Sequence, residues 1–402
     1  MSINHIQSSD TKIVIVGGCG HVGLPLGLIF AENGFQVTAF DTSAERVDTV
    51  NSGLMPFVEE GAQEILKRTL LNGSFKASTT PESIRNANVV LVVIGTPVDE
   101  HLSPDPNSVV DAVANLFDYL NSSQLILLRS TVFPGVSRKV LKILEEKFPK
   151  IQLAYCPERI AEGFALKELV ALPQIIGSDD APTYSRASKV FLKITSECLS
   201  TTFEEAELAK LFTNVWRYIK FAAANQFYMM ANDFEVDYER VRNAISLNYP
   251  RASDLPSAGF AAGPCLFKDT MQLSALVQQN FALGHAAMMI NEGTPGYIVQ
   301  RLERKYDLSE LRVGILGLSF KGGVDDVRSS LAYKLRKLLM FKCREVLMHD
   351  PLVLDSRISP LEEVVEKSDL LIIGSPHKIY AEVKTNKPVI DIWNLRDAGV
   401  TI

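Results

Sequence analysis

The stretch Gly18-Cys19-Gly20-His21-Val22-Gly23 constrains this chain more than any other. It fits the spacing G-x-G-x-x-G, follows the β-branched run Lys12–Gly17 (KIVIVG), and opens a helical pattern from Leu24 to Asn33 that Gly34 stops. The first glycine allows a tight turn, the second lets backbone approach a pyrophosphate, and the third lets helix pack on strand. The helix N-terminus then presents unpaired N–H groups to the phosphates. A second strand, Gln36–Phe40, ends at Asp41, 18 residues after Gly23. A carboxylate there accepts hydrogen bonds from ribose hydroxyls and repels a 2′-phosphate, so the pattern predicts NAD and not NADP.

Further strand-like runs at Val89–Ile94, Leu125–Leu128 and Gln152–Ala154 alternate with helical patterns. That alternation predicts a parallel sheet covered on both faces. Near residue 200 the rhythm changes. A nearly unbroken helical pattern runs from about Glu204 to Ala231, with Thr202 and Glu205 as a capping box at its start. Helix-like sequence continues to about Ser246, a Gly/Pro-rich stretch fills 250–269, and helix resumes from about Thr270 to Glu303. From Arg312 the opening theme returns: a strand (RVGILG), a helix (Leu331–Leu339) and a strand (Glu345–Met348) ending in His349-Asp350-Pro351. Leu370–Ile373 and Val389–Ile390 extend that sheet. The expected fold is α/β: two Rossmann-like, doubly wound parallel-sheet domains, residues 1–200 and 306–402, joined by a helical central domain, 201–305, with one long helix.

Composition narrows the function. At 402 residues the chain exceeds what one hydrophobic core usually supports. No apolar run approaches the ~20 residues needed to span a membrane, and MSINHIQSSDTK lacks the apolar core of a signal peptide. A formal charge of −6 argues against nonspecific nucleic-acid binding. Five widely spread cysteines suit free thiols in a reducing cytoplasm. The six histidines have no metal-ligand spacing, so no metal is expected.

Several short motifs sit where chemistry is done. Gly95-Thr96-Pro97 and Ser130-Thr131-Val132 follow apolar strands, at the sheet edge where α/β proteins bind ligands. Glu158 and Glu162, in CPERIAEG, also follow a strand; they are either exposed surface or a proton-transfer pair. Glu207, Lys210, Asn214 and Arg217 are spaced 3, 4 and 3, on one helical stripe among apolar neighbours. The stripe is either a solvated polar face with a Glu207–Lys210 pair or, on a mostly buried helix, a set of groups whose partners a bound polar substrate supplies. Cys265, in GFAAGPCLFKD, is set among small residues that leave a thiol accessible, with Lys268 near enough in sequence to favour thiolate, the nucleophilic form. Lys321 and Arg328 follow the first strand of the C-terminal unit and suit phosphates as charged donors.

In order, GGCGHVGLP, GTP, STVFPG, CPERIAEG, AELAKLFTN, GPCLFKD, FKGGVDDVRSS and VIDIWN resemble the UDP-glucose/GDP-mannose dehydrogenase family, from Lys12 to about Asn394. The resemblance implies NAD-dependent oxidation of a UDP-sugar C6 alcohol to a carboxylate in two steps. Cys265 matches the cysteine that holds the aldehyde as thiohemiacetal and then thioester. Lys210 and Asn214 match groups that bind substrate and stabilise oxyanion charge. Glu158 matches the glutamate of water attack, and Thr131 a threonine that contacts cofactor and helps place water. Asp269 completes the expected catalytic set. The expected cofactor contacts are Gly18, Gly20, His21, Val22, Gly23, Asp41, Arg46, Gly95, Thr96, Pro97, Ser130, Thr131, Glu162 and Arg328. The expected substrate contacts are Glu158, Arg159, Lys210, Asn214, Arg217, Gly259, Lys321 and Arg251, the last reaching a neighbouring subunit. A homodimer built on the long helix is implied. Arg159, Asn214–Arg217 and Asp391–Asn394 resemble the branch acting on UDP-N-acetylhexosamines, especially UDP-N-acetylmannosamine. GPCLFKD, with Phe267, departs from that branch. UDP-glucose oxidation, a two-electron 3-hydroxyacid-type reaction without need of Cys265, and a non-enzymatic NAD binder are the alternatives.

Overall fold

The computed structural model describes residues 11–96, 105, 107–278 and 280–402. The chain divides into two compact units, Met1–Thr213 and Asn214–Ile402.

The first unit is built on strands β1 (Lys12–Val16), β2 (Gln36–Phe40), β3 (Phe75–Ser78), β4 (Val89–Val92), β5 (Leu125–Leu128), β6 (Gln152–Tyr155), β7 (Gln174–Gly177) and β8 (Cys198–Thr201). They lie in the order β3-β2-β1-β4-β5-β6-β7-β8. From β3 to β6 all neighbours are parallel, as the alternating pattern predicts. The exception is β7, which runs antiparallel to β6 through the single pair Tyr155↔Gly177. A strictly parallel sheet is therefore corrected at this edge. β3, β7 and β8 carry no long apolar run, so sequence pattern does not announce them.

Alternate residues of the central strands feed two separate cores. Ile13, Ile15, Val89, Leu91, Leu125 and Leu127 pack on one face, with the Gly23–Glu32 helix. Val14, Val16, Val90, Val92, Ile126 and Leu128 pack on the other, with the Val136–Lys147 helix. This is the doubly wound arrangement, and it explains why these strands read as continuous apolar runs. Each fully buried Leu or Ile contributes about 1.5–3 kcal/mol.

A long helix spans Phe203–Asp233. Its capping box forms: Thr202 N–H donates to Glu205 Oε2 (2.8 Å) and Glu205 N–H to Thr202 Oγ1 (3.3 Å). In the second unit helices span Tyr238–Ser246, Leu266–Leu276 and Ala282–Lys305. The expected single helix over 270–303 is thus two, parted at Val277–Phe281, where Gln278 has φ 54°. The second sheet has β9 (Arg312–Leu316), β10 (Glu345–His349), β11 (Leu370–Ile373) and β12 (Val389–Ile390), all parallel in the order β10-β9-β11-β12. Among the described residues no helix is long and apolar enough to cross a membrane.

One member of the polar stripe is explained by the fold. Glu207 is fully buried and its carboxylate accepts from the backbone N–H of Gly135 (2.6 Å) and Ser137 (2.8 Å). It caps the Val136–Lys147 helix, whose own N-cap, Gly135, has no side chain to do so. Burial pushes the Glu207 carboxyl up, and the hydrogen bonds at Ser137 and Gly135 oppose that shift. Glu207→Ala leaves the buried Ser137 N–H and the half-buried Gly135 N–H without this acceptor. Denaturant unfolding should register a loss on the order of 2–3 kcal/mol.

Candidate active site

Each unit places a loop at the carboxyl end of its first strand, where a nucleotide is bound in this kind of sheet. In the first unit the loop is Gly17–Gly23. Gly17, with φ 77°, makes the tight turn, and its N–H and that of Gly18 both donate to the Phe40 carbonyl. The tight turn thus falls one residue earlier than the glycine spacing suggests. Gly18 is required for a different reason: a Cβ there would lie 2.6 Å from the Ala39 Cα. At Gly23 a Cβ would meet the Gly17 oxygen at 2.5 Å, so the third glycine lets the helix approach the turn. A Cβ at Gly20 would meet only the Gly17 oxygen, at 3.6 Å. The backbone there is open, as a pyrophosphate requires.

Other expected cofactor groups of the first unit lie at the start of the following helix, at the end of β2 and on the turns after β4 and β5. The Gly23–Glu32 helix begins without a side-chain cap at Val22, its Leu24 N–H donates to the Gly20 carbonyl (3.0 Å), and its N-terminus carries the positive end of the helix dipole toward the loop. Buried Asp41 accepts from the N–H of Cys19 (3.1 Å) and Ser43 (3.0 Å), so it ties the loop to the end of β2. His21 stacks on Phe57 at 4.0 Å. Arg46 is exposed in the first turn of the Ala44–Asn51 helix. Thr96 Oγ1 donates to the Thr131 carbonyl (2.8 Å) and Ile94 N–H to Ser130 Oγ (2.8 Å), joining the turns after β4 and β5. Gly95 lies exposed beside Thr96, and Pro97 lies outside the described residues. These features fit NAD.

The turn after β6 carries Glu158, buried, whose carboxylate accepts from the Ile160 N–H. Glu162 is half-buried on the same turn. Arg159 donates to the Pro173 carbonyl, a partner within its own unit. Sequence reading passed over Arg129 and Gln174. Arg129, 4% exposed, donates to the Cys156 carbonyl (3.2 Å) and Gln174 Oε1 (2.8 Å), and Gln174 donates to the Pro157 carbonyl (3.1 Å). This pair braces the Glu158 turn where the β6–β7 ladder has only one residue pair. Burial lowers the Arg129 pKa, and Glu158 opposes that shift.

In the second unit Cys265 is exposed, at the N-cap of the Leu266–Leu276 helix. The other four cysteines are held as thiols by burial: Cys19 is pushed up to about 12, Cys198 and Cys343 to about 11, and Cys156 is raised further. One turn on from Cys265, Asp269 donates its N–H to the Cys265 carbonyl (2.9 Å). Its buried carboxylate accepts from Asn214 Nδ2 (2.5 Å) and lies 2.8 Å from Lys268 Nζ. Asn214, Asp269 and Cys265 are therefore brought together. Lys210, on the first unit's part of the long helix, is buried, and Arg217 is half-buried.

The small residues before Cys265 have a structural use. Gly259, at φ 155°, lies under Trp393, which a Cβ would meet at 2.4 Å, and its N–H donates to Asn225 Oδ1 (3.0 Å). Gly263, at φ 102°, lies under Phe320. Gly259 is thus held by Asn225 and Trp393, and its N–H is already engaged. Arg251 is exposed and contacts Tyr249, donating to its hydroxyl at 3.4 Å. Arg328 is exposed and pairs with Asp326.

The loop after β9 mirrors the first unit. Asp350, at the end of β10, accepts from the N–H of Leu318 (2.6 Å) and Ser319 (3.2 Å), as Asp41 does from Cys19. Half-buried Lys321 sits on this loop. Burial pushes the Asp350 carboxyl up, but hydrogen bonds from His377, Leu318 and Leu352 outweigh it and hold the group well below the usual carboxylate range.

Fold and site define an NAD-dependent oxidoreductase acting on a nucleotide-bound substrate. The chain belongs to the UDP-glucose/GDP-mannose dehydrogenase family: the family's NAD-binding domain matches residues 11–195, its central domain 204–293 and its UDP-binding domain 314–398. It is an NAD-dependent UDP-sugar dehydrogenase. A UDP-N-acetyl-D-mannosamine dehydrogenase of Pyrococcus horikoshii is 30% identical over 383 residues, 92% of this chain and 90% of that one. The solved structure of UDP-D-ManNAc dehydrogenase from P. horikoshii matches with TM-score 0.88 and 28% identity, covering 96% of each chain. A UDP-glucose dehydrogenase structure from Pyrobaculum islandicum also has TM-score 0.88, at 26% identity, covering 100% of this chain and 99% of that one.

Two substitutions separate packing from binding. Gly20→Ala has room for its methyl group, so thermal stability should hold while the KM for NAD rises about tenfold or more. Gly23→Ala collides with backbone and should lower the melting temperature as well. For Asp350, the depressed folded-state carboxyl contributes stability above the unfolded range near pH 4, lost as pH falls through and below it. Asp350→Asn should flatten that acid limb in unfolding measured against pH.

Proposed function

We propose that this enzyme oxidises the C6 alcohol of a UDP-N-acetylhexosamine, best UDP-N-acetyl-D-mannosamine, to the uronic acid through a covalent adduct on Cys265. The observation that carries the reading is an exposed cysteine at a helix N-terminus, linked within one turn to the buried Asn214–Asp269 pair. NAD, when bound against Gly20 and Asp41, supplies the hydride acceptor twice per sugar. Cys265 sulfur adds to the C6 aldehyde left by the first oxidation, forming a thiohemiacetal. Loss of a second hydride from C6 and of the hydroxyl proton makes this a thioester. Water attacks the thioester carbonyl, the C–S bond breaks, and the sulfur leaves as thiolate. Glu158 takes the proton from that water, and Thr131 helps place it. Lys210 and Asn214 stabilise negative charge on the C6 oxygen. Covalent capture keeps the aldehyde in place while one reduced cofactor leaves and a second oxidised one enters. Lys321 contacts the substrate, as does Arg251 from a neighbouring subunit.

The relatives' names favour N-acetylmannosamine, and Asn214–Arg217 and Asp391–Asn394 lean the same way. The P. islandicum structure keeps UDP-glucose as the second reading. The homodimer is also proposed, since Trp216, Phe227 and Met230 of the long helix are 57%, 46% and 50% exposed. A cytoplasmic site suits the five free cysteines.

The test is NADH release over a panel of UDP- and GDP-sugars. About two NADH per sugar are expected, with UDP-N-acetylmannosamine the best substrate. One NADH per sugar with a free aldehyde, or no turnover on any of them, would sink the reading. Cys265→Ser should lose about a thousandfold or more in kcat. Full product formation by that variant would instead favour the two-electron alternative.

A further inference from the structure

The loop that carries Lys321 is held by a buried histidine. His377, 4% exposed, follows β11. Its Nδ1 lies 3.2 Å from the Gly323 N–H. A backbone N–H only donates, so Nδ1 must be unprotonated and the ring neutral, with its hydrogen on Nε2. From Nε2 the ring reaches Ser319 Oγ (2.9 Å) and Asp350 Oδ2 (3.2 Å), both acceptors for that hydrogen. Ser319 Oγ in turn donates to the Lys321 carbonyl (2.7 Å) and touches Ser375 Oγ (3.1 Å). One ring therefore grips the Lys321 turn on both sides, through Ser319 before it and Gly323 after it. Between them Gly322 presses on the Pro376 carbonyl, where a Cβ would come within 2.2 Å.

Asp350 serves the same clamp. Besides His377 and the N–H groups of Leu318 and Ser319, its carboxylate accepts from Leu352 (2.9 Å) and Val353 (3.0 Å). Five donors on a buried carboxylate leave little capacity for a ribose. Asp41, its counterpart, has two backbone donors. In the second unit the acid that follows β10 is used to hold the loop.

We infer that His377, in its neutral Nε2–H form and backed by Asp350, is a positioning residue that sets the Gly317–Gly323 turn to receive the UDP moiety. The inference rests on the proposed UDP-sugar substrate and on residues 314–398 matching the family's UDP-binding domain.

Calorimetric titration of the full-length protein with UDP and, separately, with NAD tests it. His377→Ala removes donor and acceptor together and should weaken UDP about tenfold while leaving NAD unchanged. His377→Gln restores one donor and one acceptor and should stay within about threefold of wild type. UDP affinity within about twofold of wild type in the alanine variant would overturn the inference, as would equal losses in both variants. If His377→Ala does not fold, two-bond proton–nitrogen NMR on the wild type decides: an Nδ1–H tautomer or an imidazolium at neutral pH overturns it. Lys321→Ala is the companion. Wild-type UDP-sugar affinity there would refute the Lys321 contact alone and leave the His377 result standing.

Discussion

Both nucleotide loops hang from a buried carboxylate at the end of a neighbouring strand. Asp41 takes the Cys19 N–H and Asp350 takes those of Leu318 and Ser319. The reason is general. A loop that must present bare backbone to a phosphate has few side chains with which to fix itself. A charged acceptor reached from the next strand holds it without filling the space a ligand needs. The two carboxylates then diverge. Asp41 has few protein donors and keeps capacity for a ligand, whereas Asp350 is engaged from five directions.

The same economy of partners governs the helices. The stripe Glu207, Lys210, Asn214, Arg217 is polar on a helix with much buried surface, and burial demands hydrogen bonds. Glu207 meets that demand by capping a neighbouring helix, and Asn214 by bonding Asp269. Asp269 thereby links the long helix to the helix that begins at Cys265. Asn214 and Asp269 thus satisfy each other by a hydrogen bond within the protein. The bareness of the Gly259–Gly263 stretch also has a packing origin, since Trp393 and Phe320 lie against those glycines.

Much of the fold was legible because its signals are local. β1, β2, β5, β11 and β12 are short runs of apolar or β-branched residues, and the capping box of the long helix lies within four residues. The strands that escaped notice, Phe75–Ser78, Gln174–Gly177 and Cys198–Thr201, owe their conformation to the neighbours they pair with. Among site groups, Cys265 and the glycine loop stood out by spacing. Arg129, Gln174 and His377 did not, because each acts through partners 17 to 58 residues away in sequence.

By itself the sequence determined the NAD-loop glycines, the acid that follows β2, the long helix and the thiol set among small residues. These depend on neighbours within a turn or a strand, where steric and hydrogen-bonding rules act over a few residues. Only the tertiary structure decided what each polar group is used for: that Glu207 caps a distant helix, that Asp350 is enclosed, that His377 carries its hydrogen on Nε2. Those roles depend on which donors a buried acceptor meets, and distant segments supply them.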